Sequence, residues 1–440
     1  MFARCYNKIS HLNSIRPFSS TKILNETHSC KVLVVGGGTG GLALTAKLSR
    51  TLNKSNLILL EPSNDHYYQP LFTLVGGGIE KMKDTRKYEE DLVPKNCTWL
   101  KDKAVDFNLK KNTVNTALGD KIEYDYLIVA TGIIPRYELI PGLVESLKNP
   151  ESGVCSIYSP NYVENVFPVM QKLNSGNAIF TFPNSPVKCP GAPQKICYIT
   201  EDYLRKEGKR TNVNVIYNTS LPVIFGVKRY ADALWKICKE RDINVNTRTN
   251  LVRVNGEKKE ATFENLDKPE EKSILPFSML HVVPPMSTTE AISSNKDLTN
   301  AAGFVEVDKS TMQHVRFPNI FAIGDCSSSP NSKTAAAAAA QTNVVFENLK
   351  AVMKNQKLPL TYDGYASCPL VTGYDKCILA EFDYELNPLE TFPFRQDVER
   401  TSMFLLKKDV IPVIYWNLMM KGLWNGPALF RKIMHLGLHK

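Results

Sequence analysis

Residues 31–41 read Lys-Val-Leu-Val-Val-Gly-Gly-Gly-Thr-Gly-Gly, and few folds accommodate such a run. The four apolar residues 32–35 suit a strand buried on both faces of a parallel sheet. The glycines then turn the chain into a helix expected from about Leu42 to Leu52. The spacing Gly36-x-Gly38-x-x-Gly41 is the one a dinucleotide pyrophosphate requires. Gly36 makes the tight turn, Gly38 lets the backbone approach the phosphates, and Gly41 lets helix and strand pack closely. The helix start, with Thr39 and Gly40, offers free N–H groups and the positive end of a dipole. A glycine-rich turn is a weak signal alone. Here a second apolar strand, residues 57–60, ends at Glu61, about 20–25 residues downstream, where a ribose-binding carboxylate belongs.

A chain of 440 residues implies two or three domains. The net charge of +10 suits an anionic membrane surface or an acidic cofactor. Nucleic-acid binding is not expected, since no basic helix, zinc-ligand spacing or aromatic-basic RNA motif is present. Ten cysteines include no Cys-x-x-Cys pair, which argues against a disulfide-stapled secreted protein and against a metal site. Residues 1–29 have no acid before Glu26, four basic residues (Arg4, Lys8, Arg16, Lys22) and interleaved serines. They read as a mitochondrial presequence, with Arg16-Pro17-Phe18-Ser19 similar to a matrix-processing context.

Three further stretches extend the cofactor reading. Residues 65–71 follow the acid and include His66, read as structural, and Gln69. Residues 97–107 read as a short strand pair whose backbone near Ala104 could face an adenine. Residues 126–132 form another apolar strand ending in Ala-Thr131-Gly132. This ending resembles the second flavin-contacting signature of the two-dinucleotide-binding-domain flavoproteins. Residues 317–325 resemble the same family's late strand, here ending Ile323-Gly324-Asp325. The resemblance implies that Asp325 binds the ribityl chain and that the next helix, from Thr334 to about Leu349, points its N-terminus at the flavin ring. Six alanines open that helix and Lys333 precedes it. Small side chains allow close approach to a flat ring, and positive charge there stabilises reduced flavin. The cofactor implied is FAD. The fold implied is α/β, with two Rossmann-like domains in the disulfide-reductase-like arrangement. An FAD domain is expected over 31–150 and 300–360, a second Rossmann-like domain over 151–299, and a C-terminal region over 361–440.

That family usually carries a second glycine motif for a nicotinamide nucleotide. The corresponding strand here, residues 177–182, is followed by Pro183-Asn-Ser-Pro186-Val-Lys188-Cys189-Pro190-Gly191-Ala-Pro193. Prolines remove N–H donors and stiffen the turn, which is unsuited to cradling a pyrophosphate. A nicotinamide site is therefore not expected, and a cysteine stands in its place. This segment resembles the sulfide:quinone oxidoreductase family, of the mitochondrial type. The resemblance extends over residues 31–440 and includes Tyr230-Ala-Asp-Ala-Leu, Pro284-Pro-Met, Asp363-Gly-Tyr and Ser367-Cys368-Pro-Leu-Val-Thr-Gly373.

The resemblance implies that Cys189 and Cys368 are a redox pair meeting at one flavin face. Hydrosulfide opens their bridge by thiol–disulfide exchange; whether the resting bridge carries an extra sulfur is left open. One cysteine becomes a persulfide, provisionally Cys368, and the other, Cys189, faces the flavin. A thiolate needs nearby positive charge, for which Lys188 and Lys195 are the sequence candidates. Cys97, Cys155, Cys197, Cys238 and Cys377 read as inert buried hydrophobes, with Cys326 expected nearer the flavin. Bacterial relatives use a third, early cysteine that has no clear counterpart here.

The tail, residues 403–424, is apolar and aromatic with lysines between. Its longest uncharged run, 410–420, has 11 residues, against about 20 needed to span a bilayer. It should lie in the membrane interface as short amphipathic helices restarted at Pro412 and Pro427. The partners implied are hydrogen sulfide, ubiquinone, a small sulfur acceptor (glutathione, sulfite or a second sulfide) and the lipid surface of the inner mitochondrial membrane. The enzyme would face the matrix as a peripheral or monotopic protein. Two rivals share these features: a single-subunit NADH:quinone oxidoreductase, and a non-catalytic FAD-binding scaffold.

Overall fold

The computed structural model describes residues 25–437; of the presequence expected over 1–29, residues up to 24 lie outside the described residues, and Thr27–Ser29 already belong to the first strand. Strand β1 (Thr27–Val35) leads through the glycine turn into α1 (Thr39–Leu48). The helix begins three residues earlier than expected. Gly38 is extended and acts as its N-cap, so Gly40 and Gly41 form the first turn rather than the approach to it.

β1 lies at the centre of the first sheet. It pairs in parallel with β2 (Leu57–Leu60) on one side, Val35 opposite Leu60. On the other side it pairs with β3 (Lys121–Val129), Val35 opposite Val129. The late strand Ile320–Ala322 pairs in parallel with the end of β3. Three phosphate- or flavin-directed turns, after Val35, Val129 and Ala322, therefore emerge side by side at one end of the sheet. This alignment is set by apolar residues: Val32, Leu33, Val34, Leu127, Ile128, Val129 and Phe321 are all buried in one core.

The second sheet is wholly parallel. Its centre is β4 (Gly176–Phe182), flanked by Met279–His281 and Val213–Thr219. An antiparallel meander spans 249–276. The crossings between the two sheets pair with each other, Ile134–Pro135 against Met286–Ser287. After β4 the proline-rich loop carries Cys189 and enters α2 (Ala192–Lys206) with proline in its first turn. Helix α3 (Ala335–Val352) follows, capped by Thr334, whose Oγ1 accepts from the Ala337 N–H at 3.1 Å. Next, β5 (Ala366–Val371) and β6 (Cys377–Phe382) pair antiparallel, with Cys368 opposite Ala380.

The tail departs from expectation at Pro412. Residues 401–419 form one continuous helical path in which α turns alternate with wider π turns, Leu406–Val410 and Tyr415–Met419. The π turn before Pro412 relaxes the ladder where proline lacks an N–H and its ring would clash with an earlier carbonyl. The proline is thus absorbed rather than starting a new helix. A separate helix, Ala428–Met434, does begin after Pro427. Met403, Phe404, Tyr415, Trp416, Met419 and Met420 join the core of the first sheet. Val413 and Leu423 are each 57% exposed, and Leu418, Leu429 and Ile433 also face outward. No helix among the described residues is long and apolar enough to cross a membrane.

Gly36, at φ +105°, takes a conformation that L side chains avoid. A Cβ on Gly41 would strike the Gly36 carbonyl oxygen. Gly41→Ala should therefore cost about 1–3 kcal/mol of stability, read as a lower urea midpoint with cofactor loss. An unchanged midpoint would show that the turn has slack that the geometry denies.

Candidate active site

A cavity of about 460 Å³ opens where the three turns converge. Its walls include Gly37, Gly38, Thr39, Gly40, Glu61, Gln69, Thr131, Gly132, Ile323, Gly324, Asp325 and Lys333. Gly36 and Gly41 are absent from the walls; they shape the turn from behind. Ala104 is not among this cavity's walls either; it begins a strand paired with Thr116. Glu61 accepts from the Gly37 N–H at 2.6 Å and the Ser63 N–H at 2.7 Å, which holds the carboxylate at the loop.

These residues fit a flavin dinucleotide. A Cβ built on Gly38 or Gly132 meets nothing within 4 Å, so both face open space. Burial pushes the Asp325 carboxyl up, while the Lys333 and Lys188 ammonium groups pull it back. Lys188, proposed from sequence as a thiolate stabiliser, lines the same cavity, where burial lowers its ammonium and the Asp325 charge opposes that.

One part of the cradle was not legible in the sequence. Tyr415, from the tail, hydrogen-bonds Thr39 Oγ1 at 2.8 Å and His66 Nε2 at 2.6 Å. His66 Nδ1 lies 3.2 Å from the Gly37 carbonyl and 3.3 Å from Glu89. The glycine loop is thereby held by Glu61, by His66 and by a side chain 376 positions downstream. No spacing rule connects them.

Cys189 sits at the inner end of this cavity. Its backbone is fixed from both sides: its N–H donates to the Lys333 carbonyl at 2.7 Å, and its carbonyl accepts from Tyr158 at 3.2 Å. It is held at φ +52°, a left-handed conformation that costs a non-glycine residue roughly 1–2 kcal/mol. Its Sγ lies 4.0 Å from Cys368 Sγ and 3.3 Å from Lys195 Nζ. The hydrogen bond from the Cys368 thiol, then the Lys195 charge, hold the Cys189 thiol well below its usual range despite burial. Cys368 is pushed well above it by the same hydrogen bond and by burial. The arrangement is a thiolate on Cys189 and a proton on Cys368. Burial alone would lower the Lys195 ammonium, but the two sulfurs outweigh it and raise it. Of the remaining cysteines, Cys326 points into the core, its Sγ 3.4 Å from the Val129 carbonyl, and does not line the cavity.

A second cavity, of about 410 Å³, lies on the far side of the α3 N-terminus. Ala335 lines both cavities, Ala338 the first, and Ala336 and Ala339 the second. Cys189 also touches both; Cys368 lines neither. The second cavity's walls come from α3, from β5 and β6, and from the tail, and are largely apolar. Three charged residues interrupt them: Lys195, beside Cys189, Glu381 and Lys407. Glu381 is buried and fully engaged, accepting from Tyr365 at 2.6 Å, Thr391 Oγ1 at 2.7 Å and Gln396 at 2.8 Å. Lys407 donates to the Pro70 carbonyl at 2.8 Å, and burial, with Lys195 nearby, lowers its ammonium to about 7.

Comparison with known proteins agrees with this architecture. Residues 30–166 and 201–342 match the pyridine nucleotide-disulphide oxidoreductase family. The chain is 48% identical over 409 residues to the mitochondrial sulfide:quinone oxidoreductase of Mus musculus, covering 93% of this chain and 90% of that one. It is 45% identical over 408 residues to the protein of that name from Dictyostelium discoideum, covering 92% and 89%. The solved sulfide:quinone oxidoreductase of Aquifex aeolicus superposes with a TM-score of 0.75 at 21% identity, covering 93% and 95%.

The approach of the sulfurs depends on Gly191. A Cβ there would lie 2.5 Å from Cys368 Sγ and 2.7 Å from the Leu370 side chain. Gly191→Ala should push β5 away from Cys189, lowering turnover about tenfold or more while the bound flavin spectrum stays intact. Full turnover in that variant would mean that the two sulfurs need not meet.

Proposed function

The chain belongs to the mitochondrial sulfide:quinone oxidoreductase family, and on that premise we propose that Cys368 takes the sulfur of sulfide while Cys189 is the leaving thiolate. The protein is a mitochondrial flavoenzyme that oxidises sulfide and reduces a quinone. What supports the division of labour is the position of Cys189, which lines the first cavity and lies 3.3 Å from the Lys195 ammonium that can stabilise its thiolate as the leaving group.

Hydrosulfide attacks Cys368 Sγ in the oxidised pair. The bond between the cysteines breaks, Cys189 departs with the electron pair, and Cys368 carries the added sulfur as a persulfide. Lys195 stabilises the negative charge left on Cys189. A small nucleophile of the thiol or sulfite type then attacks the outer sulfur and leaves Cys368 as a thiolate. Re-forming the bridge from two thiolates releases two electrons. Bound FAD supplies the redox chemistry that accepts this pair and passes it to the quinone. Gly36 to Gly41, Glu61, Gln69, Thr131, Gly132, Ile323 to Asp325 and Lys333 would hold it.

The second cavity suits a quinone ring. It is apolar, lies against the same helix N-terminus, and is closed by the tail. Lys407, with an ammonium lowered to about 7, can hold a proton there near neutral pH. The outward apolar residues of the tail would rest in the inner-membrane interface, where a lipid-soluble quinone is found.

The oxidised enzyme, given sulfide without an acceptor and then alkylated, should carry one extra sulfur on the Cys368 peptide and none on the Cys189 peptide. Cys189→Ser and Cys368→Ser should each lose roughly 10³-fold or more in turnover while retaining flavin. The extra sulfur on Cys189 would reverse the roles, and turnover surviving in both variants would remove the pair from the mechanism.

A further inference from the structure

A third recess, of about 540 Å³, is unused by the chemistry above. It lies between residues 83–92 and the tail. Lys83, Arg86, Lys87 and Lys421 line it with the Trp416 indole, and Asp91 is the one acid among its walls. Arg86 is engaged, donating to Asp65 at 2.6 Å and 2.8 Å. Lys87 stacks its ammonium on Trp416, 4.8 Å from the ring centroid. Among the described residues, Lys83, Lys87 and Lys421 have no carboxylate within ion-pair distance, although ion pairs surround them at Arg86 and Lys408.

Cations gathered around a concave wall without counter-charge repel one another, and an anion in the recess relieves that repulsion. The surroundings identify the kind of anion. Lys421 is followed by Leu423, 57% exposed, and Leu418 faces outward one turn before it. Phosphate-binding charge thus borders directly on apolar surface. A soluble anion would use the charge and leave the apolar border in water. A phospholipid uses both, its phosphate among the lysines and its acyl chains along the tail. Trp416 is the recess's buried aromatic floor, on which Lys87 rests.

We propose that the recess formed by Lys83, Lys87 and Lys421 against Trp416 is a headgroup site for an anionic phospholipid, orienting the tail on the membrane. The site rests on the membrane-interface reading of the tail, but adds a demand for lipid charge that apolar contact alone would not make. Trp416 neighbours Tyr415, which grips Thr39 in the glycine loop, so a lipid seated here would also buttress the cofactor cradle.

The test is co-sedimentation of the holoenzyme with vesicles of phosphatidylcholine alone and with phosphatidylglycerol added, at physiological salt. The intact protein should partition about tenfold or more strongly onto the anionic vesicles, given about fivefold per lysine near such a surface. Lys83→Ala/Lys87→Ala/Lys421→Ala should reduce that preference to within about twofold, with sulfide oxidation by a soluble short-chain quinone unchanged. A charge-matched control, Lys110→Ala/Lys258→Ala/Lys272→Ala, should keep it, and free glycerol phosphate should not compete. Equal binding to both vesicles, an undiminished preference in the first triple variant, loss of preference in the control, or displacement by glycerol phosphate would each overturn the lipid site. Failure to bind either vesicle would overturn it together with the membrane reading.

Discussion

The buried contact between the Lys195 ammonium and Cys189 Sγ, at 3.3 Å, is the interaction on which the rest of this structure turns. At an effective dielectric constant near 20, a charge pair at that distance gains about 5 kcal/mol, and desolvating the two ions costs a comparable amount. Such a pair adds little net stability. What it does is set which sulfur is charged. Lys195 stands on the first turns of α2, which Pro193 initiates and which the close packing of Gly191 against Cys368 positions. The proline-rich loop after β4 is in this chain a mount for one cysteine and its counter-ion.

The second organising constraint is steric. The start of α3 stands between two cavities, and alanines at 335, 336, 338 and 339 let both come close to it. A larger side chain at any of these positions would fill one cavity or the other. The first cavity is closed by the three turns of the first sheet, the second by the tail. The same tail reaches back through Tyr415 to Thr39 and His66. The segment that turns apolar side chains outward is therefore also a structural member of the cofactor site. This accounts for its π turns, which rotate Tyr415 and Trp416 inward while leaving Val413 and Leu418 outside.

Much of this was legible in the sequence because local physics decides it. The strand of residues 32–35, the glycine spacing and Glu61 are short-range signals, and the structure brings them to one cavity. Asp325 and Lys333 join them there, since the late strand pairs with β3 in register. The resemblance of the segment around Cys189 and Cys368 identified the pair, though spacing could not, because 179 residues separate them. Choosing between Lys188 and Lys195 needed the helix: Lys195 lies a turn and a half beyond Cys189 and reaches its sulfur, while the adjacent Lys188 lines the first cavity, where the Asp325 charge acts on it. Ala104, read as adenine-facing, begins an edge strand paired with Thr116 and is not among the cavity's walls. Pro412 failed as a helix start because π turns absorbed it. Lys407, Tyr415 and the basic recess depend on tertiary contacts that no local pattern encodes.

The most direct test of the central claim is the pH dependence of iodoacetamide reaction at Cys189 in the reduced protein, compared with Lys195→Met. The Lys195 charge and the Cys368 hydrogen bond lower the Cys189 thiol. The thiolate, and with it the alkylation rate, should therefore persist to pH values well below those at which an ordinary thiol is protonated. Removing the ammonium while keeping the side-chain volume should raise the midpoint by at least about one unit. A midpoint in the ordinary thiol range for the unaltered protein, or one that Lys195→Met leaves in place, would contradict the account.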